Sequence, residues 1–162
     1  MRAGAGRWFE DRATLRFIAS RFAPWFLALS VAWESGHARL YTIWTDASVP
    51  ELAFSILHCS AGDLMIGLAS LAIALTMLQA GPLRTWRIAQ IAGVSAVLGT
   101  TYTIFSEWMN LRLERWTYTE SMPIIPIGTL ELGLTPLLQW LVLPGLALLL
   151  ARHVLAFKGA SS

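Results

Sequence analysis

The sequence predicts an all-α polytopic integral membrane protein, a four-helix transmembrane bundle with both termini cytoplasmic. Three observations carry this reading. Hydrophobic residues make up 56% of the 162 residues and charged residues only 14%, with a mean hydropathy of +0.56, too apolar for an ordinary soluble domain. Apolar stretches of membrane-crossing length recur along the chain. The basic residues fall unequally on the two sides that alternating spans create.

The first apolar segment is Phe17–Trp33, about 25 Å of helix against a hydrocarbon core of about 30 Å. Residues 1–16 are polar and Arg-rich, a frayed or interfacial terminus. Arg21 can snorkel to the head groups, and Pro24 is expected to bend the span. No small-residue cleavage site follows Trp33, so the span is read as uncleaved. The connection from Glu34 to Ser48 mixes His37, Arg39, Tyr41 and Trp44. Ser48-Val-Pro-Glu51 fits a capping box, starting a second helix over residues 49–79 of roughly 45 Å, long enough to tilt or project.

Ala80-Gly81-Pro82 ends that helix, and a turn holding Arg84, Trp86 and Arg87 leads to a third span over residues 88–110. An outer loop, residues 111–134, carries Trp116, Tyr118, Pro123 and Pro126 with Glu114, Glu120 and Glu131. Thr135-Pro136 reads as N-cap and first helical residue of a fourth span over residues 136–157, with Pro144-Gly145 as a kink and a short soluble tail from Lys158. The chain is thus one transmembrane domain, 1–162.

Four spans put both ends of the chain on one side. That side collects Arg2, Arg7, Arg12, Arg16, Arg21, Arg84, Arg87, Arg152 and Lys158, and the other only Arg39, Arg112 and Arg115. By the positive-inside rule the first side is cytoplasmic, and an inner membrane is the expected location. Trp33, Trp44, Trp108, Trp116 and Trp140 fall near the outer boundary, as an aromatic belt does. The basic residues are scattered, so the pI of about 9.1 points to topology and not to nucleic acid. Cys59 is the single cysteine, which excludes an internal disulfide and Cys-rich metal sites.

Ionisable groups inside a span are costly and mark a site. On the second helix Ser55, Cys59 and Asp63 recur every fourth residue on one face, with His58 rotated about 100° from Cys59. On the third, Thr100, Thr103, Glu107 and Asn110 form a second polar stripe. Turned toward each other, the stripes make an outward-opening cavity lined by His58, Cys59, Asp63, Glu107 and Asn110, to which Gln139, Glu34 or His37 can add. Asp63 and Glu107 suit a proton or substrate site, since neighbouring carboxyls share protons. His58, Cys59, Asp63 and Glu107 are also metal-ligand types, though at spacings that match no metal motif. The plain alternative is packing, with Asp63 and Glu107 at helix ends and hydroxyls bonded to backbone carbonyls.

The stretch from Glu114 to Pro123 is either a lid over the bundle or an anchor of Trp116 and Tyr118 in the head groups. Trp116-Thr-Tyr118, a Pro-containing loop and an apolar span resemble the repeat of small membrane-bound carotenoid cyclases. The resemblance is short. The acidic pair that repeat carries at the start of its next helix is replaced by Thr135-Pro136-Leu137-Leu138-Gln139, so no activity is carried over. Gly62, Gly67, Ala69, Gly93 and Gly99 permit close helix approach, within the bundle or to another subunit.

No phosphate loop, dinucleotide fingerprint, serine elbow or zinc helix is present, which argues against soluble-type catalysis and identifies no cofactor. The functional expectation is a small inner-membrane protein whose outer-facing intramembrane polar pocket binds an ion, proton or apolar ligand, with or without catalysis. The alternative is an accessory or assembly subunit of a larger membrane complex. Expected partners are the lipid bilayer and either other membrane subunits or a symmetric homo-oligomer. A transporter acting alone ranks third, because four spans enclose a narrow path.

Overall fold

The computed structural model describes residues 6–128 and 130–159, with side chains up to His153. The sequence reading of Arg2, of the side chains of Phe157 and Lys158, and of the last three residues lies outside them. Four helices are long and apolar enough to cross a membrane: Arg12–Leu40, Val49–Met77, Ile88–Arg112 and Leu134–His153, the last continuing to Gly159.

The first span is longer at both ends than the apolar run Phe17–Trp33 suggested. Asp11 caps it, its carboxylate accepting from the Thr14 hydroxyl at 2.7 Å and from the Ala13 and Thr14 amides. The turn before Pro24, Ile18–Phe22, widens into a π-helix, which accommodates a residue with no N–H to donate. At the far end nothing in Glu34–His37 breaks the helix. It closes in a 3₁₀ turn, Ala38–Leu40, and Glu34 and His37 stay on the bundle. The N-terminus is not frayed between Arg7 and Arg16. The Trp8 amide bonds to the Ala80 carbonyl at 3.1 Å, and the buried Thr14 hydroxyl accepts from the Leu83 amide at 2.9 Å.

A short helix, Ile43–Asp46, leads to the second span. The capping box at Ser48 forms as expected, with the Glu51 carboxylate accepting from the Ser48 amide at 2.9 Å. The span ends at Met77. Gln79 then adopts a left-handed φ of 48°, and the Ala80 amide reaches back to the Leu75 carbonyl at 2.8 Å. The third span runs on to Arg112 and stops the same way, with Glu114 at φ 52° and the Arg115 amide on the Asn110 carbonyl.

Two expectations change at the segment 111–134. The fold is not purely α: Ile124–Ile127 (β1) and Leu130–Gly133 (β2) pair antiparallel, Ile124 opposite Gly133, about a turn where Gly128 has φ +63°. The fourth helix starts at Leu134, so Thr135 is not its N-cap. The Leu134 amide bonds to the Pro123 carbonyl at 2.8 Å, and the Thr135 hydroxyl turns toward the Met122 sulfur. A carbonyl from the returning chain replaces the cap that the sequence offered.

Phe17, Phe22, Phe26, Leu71, Leu75, Ile91, Trp140 and Leu148 form the core, while Val49, Phe54, Met65, Val97, Leu141 and Leu149 stand exposed on the outward faces. Such an apolar exterior, on four helices long enough to span, is compatible with a multi-pass membrane protein. Of the small residues, two glycines are needed for close approach. A Cβ on Gly67 would lie 2.6 Å from the Phe26 ring, and one on Gly99 would overlap the Trp140 ring. Gly62 and Gly93 face open space. We therefore expect Gly99→Ala to destabilise the bundle by about 1–3 kcal/mol through overpacking. Gly93→Ala should be near neutral. Thermal unfolding in detergent measures both, and equal melting temperatures would contradict this packing.

Candidate functional site

At the end of the bundle that carries the hairpin, side chains from all four spans converge on a buried acidic centre. The longer first span contributes Glu34 and His37, one turn apart and joined at 3.2 Å between His37 Nε2 and Glu34 Oε2. The Glu34 carboxyl also lies within hydrogen-bonding reach of the Asp63 carboxyl on the second span. Gln139 of the fourth span, itself buried, donates from Nε2 to Asp63 Oδ2 at 2.5 Å. Trp140 beside it is the residue seated on Gly99, so the close approach of third and fourth spans aims Gln139 at the second. Glu107, on the third span, is buried and accepts from the Tyr118 hydroxyl.

Tyr118 comes from the segment after the third span, which folds back over the bundle. Its hydroxyl accepts from the Gly133 amide at 3.0 Å while donating to Glu107. Tyr118 pairs as an isolated antiparallel bridge with Tyr41, flanked by Thr42 N to Thr117 O at 3.0 Å and Thr119 N to Leu40 O at 2.9 Å. The Tyr41 ring packs on His37, Trp116 and Tyr118. Burial, and then the negative field of Glu107, push the Tyr41 phenol far above its ordinary value. Burial, then the hydrogen bond to Glu107, do the same to Tyr118. Both therefore remain neutral, and Tyr118 remains a donor.

The residues expected to line the cavity separate. Asp63 and Glu107 are both in the centre, and Cys59 is half-buried within the field of Glu34, Asp63 and Glu107. His58 is not in the centre: it is exposed, its ring stacked on Phe54 at 5.6 Å. Asn110 is buried but occupied on its own helix, donating to the Ser106 carbonyl at 2.8 Å and hydroxyl at 3.2 Å. Glu34, His37 and Gln139, secondary candidates from sequence, hold central positions. Tyr41 and Tyr118 were not among the sequence candidates. The only signal for them is the aromatic density of the two connecting segments.

Among the described residues, no three His, Cys, Asp or Glu side chains group as metal ligands. Among the described residues neither Asp63 nor Glu107 is ion-paired with an arginine or lysine; the charged group acting on the first is Glu34, and those acting on the second are His37 and Glu34. Above the centre, a cleft of about 670 Å³ opens between the short helix, the start of the second span and Glu114–Thr117. Ser55 at its floor stands one turn above Cys59. Comparison with protein-family models, curated proteins and solved structures finds no match.

The Tyr118 hydroxyl joins the lid to the bundle, so Tyr118→Phe leaves both Glu107 and the Gly133 amide short of a partner, a cost of about 1–3 kcal/mol. The variant should melt lower at neutral pH. The raised folded values also fix a sign. The contribution of the neutral phenols is complete below the ordinary tyrosine value of about 10 and is lost as pH rises through the higher folded values. Wild-type stability should accordingly fall above about pH 10, and Tyr118→Phe should lose less over that range. Parallel alkaline slopes for the two proteins would refute the assignment.

Proposed function

We propose that this chain is a multi-pass inner-membrane protein that binds a proton at its buried carboxyl centre, with Glu34 and Asp63 sharing it and Glu107 held beside them under Tyr118. The observation that carries the reading is the Asp63 carboxyl inside the bundle, held by the neutral Gln139 amide at 2.5 Å with Glu34 as the charged group acting on it. An ionised carboxylate only accepts hydrogen bonds, so two in contact need a proton between them. Among the described residues neither carboxyl is ion-paired with an arginine or lysine, which supports it, because a fixed cation would make the proton unnecessary. His37 stands against Glu34, and the cleft lined by Ser55 lies one helical turn from Cys59, on the same side of the bundle.

Infrared spectra of the protein in lipid test this at neutral pH. A protonated-carboxyl stretch is expected in the wild type and should be lost in Glu34→Gln and in Asp63→Asn at unchanged folded yield. A wild-type spectrum with only ionised carboxylates rules the proposal out.

The orientation belongs to the same proposal. Arg7, Arg12, Arg16, Arg84, Arg87 and Arg152 lie at the end opposite the hairpin, which supports cytoplasmic termini and an outward-facing centre. Protease added to the outer face of intact spheroplasts should cut in the segment 113–133 and spare a tag at the C-terminus. Cleavage of the tag instead would reverse the orientation.

A further inference from the structure

The hydroxyls of Ser30 and Ser60 are fully buried and have no hydrogen-bond partner. Buried polar groups are paired in the great majority of cases; among the described residues the Ser95 and Thr100 hydroxyls on the third span also lack a partner, and those of Ser30 and Ser60 are the two on the first and second spans. Both belong to the faces on which the first and second spans meet. Phe26 packs on Gly67, and Glu34 acts on Asp63, which sets an antiparallel register between the two helices. In that register Ser30, one turn before Glu34, falls level with Asp63, and Ser60 is one turn before Asp63. Gln139 adds an amide oxygen, since only its nitrogen is engaged by Asp63.

These donors are carboxyl, hydroxyl and amide oxygens, a hard set that suits alkali and alkaline-earth ions rather than zinc or copper. The centre also needs positive charge. The ionisable groups facing the pair are His37 from the first span, Cys59 from the second and Glu107 from the third, with Tyr41 and Tyr118 from the connections. The fourth span brings only neutral Gln139. One added unit charge exchanging with one shared proton leaves the net charge of the centre unchanged.

We infer that Glu34, Asp63, Ser30, Ser60 and Gln139 form a binding site for a small monovalent cation, Na⁺, which displaces the shared proton. The inference rests on the proton-binding reading above and adds the ion that competes at the same carboxyls.

The test uses the full chain in lipid nanodiscs in choline buffer, titrated with NaCl against added choline chloride at constant ionic strength. The melting temperature and the protonated-carboxyl stretch are read together. Sodium should raise the melting temperature saturably and bleach the stretch over the same concentration range. Ser60→Ala should keep the stretch and weaken the sodium midpoint by about tenfold. A stretch that is present but indifferent to sodium, without saturable stabilisation, overturns the cation site and leaves the proton reading standing. Equal stabilisation by sodium and choline does the same. Absence of the stretch under every condition removes both. An unchanged sodium midpoint in Ser60→Ala overturns the ligand set.

Discussion

Carboxyl groups in an apolar bundle cannot be left alone, and among the described residues the simplest solution, an arginine or lysine paired with each, is not used. Asp63 instead has Gln139 and Glu34, and Glu107 has Tyr118. Much of the architecture follows from supplying those partners. Gln139 reaches Asp63 because Trp140, its neighbour around the helix, is seated where Gly99 has no side chain. Glu34 reaches Asp63 because the first helix continues past its apolar run to Leu40. Remove the approach of the fourth span and the Asp63 carboxyl loses its amide donor, a loss that costs about 1–3 kcal/mol.

The segment after the third span solves the same problem for Glu107. A hydroxyl on a mobile loop would be a poor partner, since ordering it costs conformational entropy. The loop is therefore fixed before its tyrosine is used. Backbone bonds tie it to Leu40 and Thr42, the β1–β2 hairpin returns Gly133 to the Tyr118 hydroxyl, and the Pro123 carbonyl starts the fourth helix. The neutral phenol then donates inward and accepts from Gly133 at once. The Tyr118 hydroxyl bonds both Glu107 and the Gly133 amide, which couples the charge state of Glu107 to the seating of the lid.

What the sequence made legible was periodic or local. The second and third spans, the Ser48 capping box and the stripes holding Asp63 and Glu107 all follow from composition and from helical spacing. The adjacent His58 and Cys59 were expected on different faces, and His58 does point away from the centre. The misplacements share a cause. Hydropathy ended the first span at Trp33, but a helix with no breaker runs on through polar residues that find partners inside. Thr135 looked like a cap because the sequence could not show that Pro123 would arrive at Leu134. Tyr41 and Tyr118 meet only through a long-range bridge, and no spacing along the chain encodes that pairing.

A fixed guanidinium or ammonium beside Glu34 and Asp63 would neutralise them permanently and make the centre a structural element. Among the described residues the basic group against the pair is His37, and the other donors are a neutral amide and neutral phenols, so the balance of its negative charge rests on a proton or an ion that can leave. A proton bound between two carboxyls meets that requirement, and so does a dehydrated cation. The exchange of one for the other keeps the net charge of the interior constant, which a low-dielectric site demands. The buried, unpartnered hydroxyls of Ser30 and Ser60 are consistent with this. A proton shared between carboxyls makes no use of them, whereas an ion too large to sit between two oxygens does. On this argument the packing of the first two spans, held at Phe26 and Gly67, sets the size of the ion that the centre accepts.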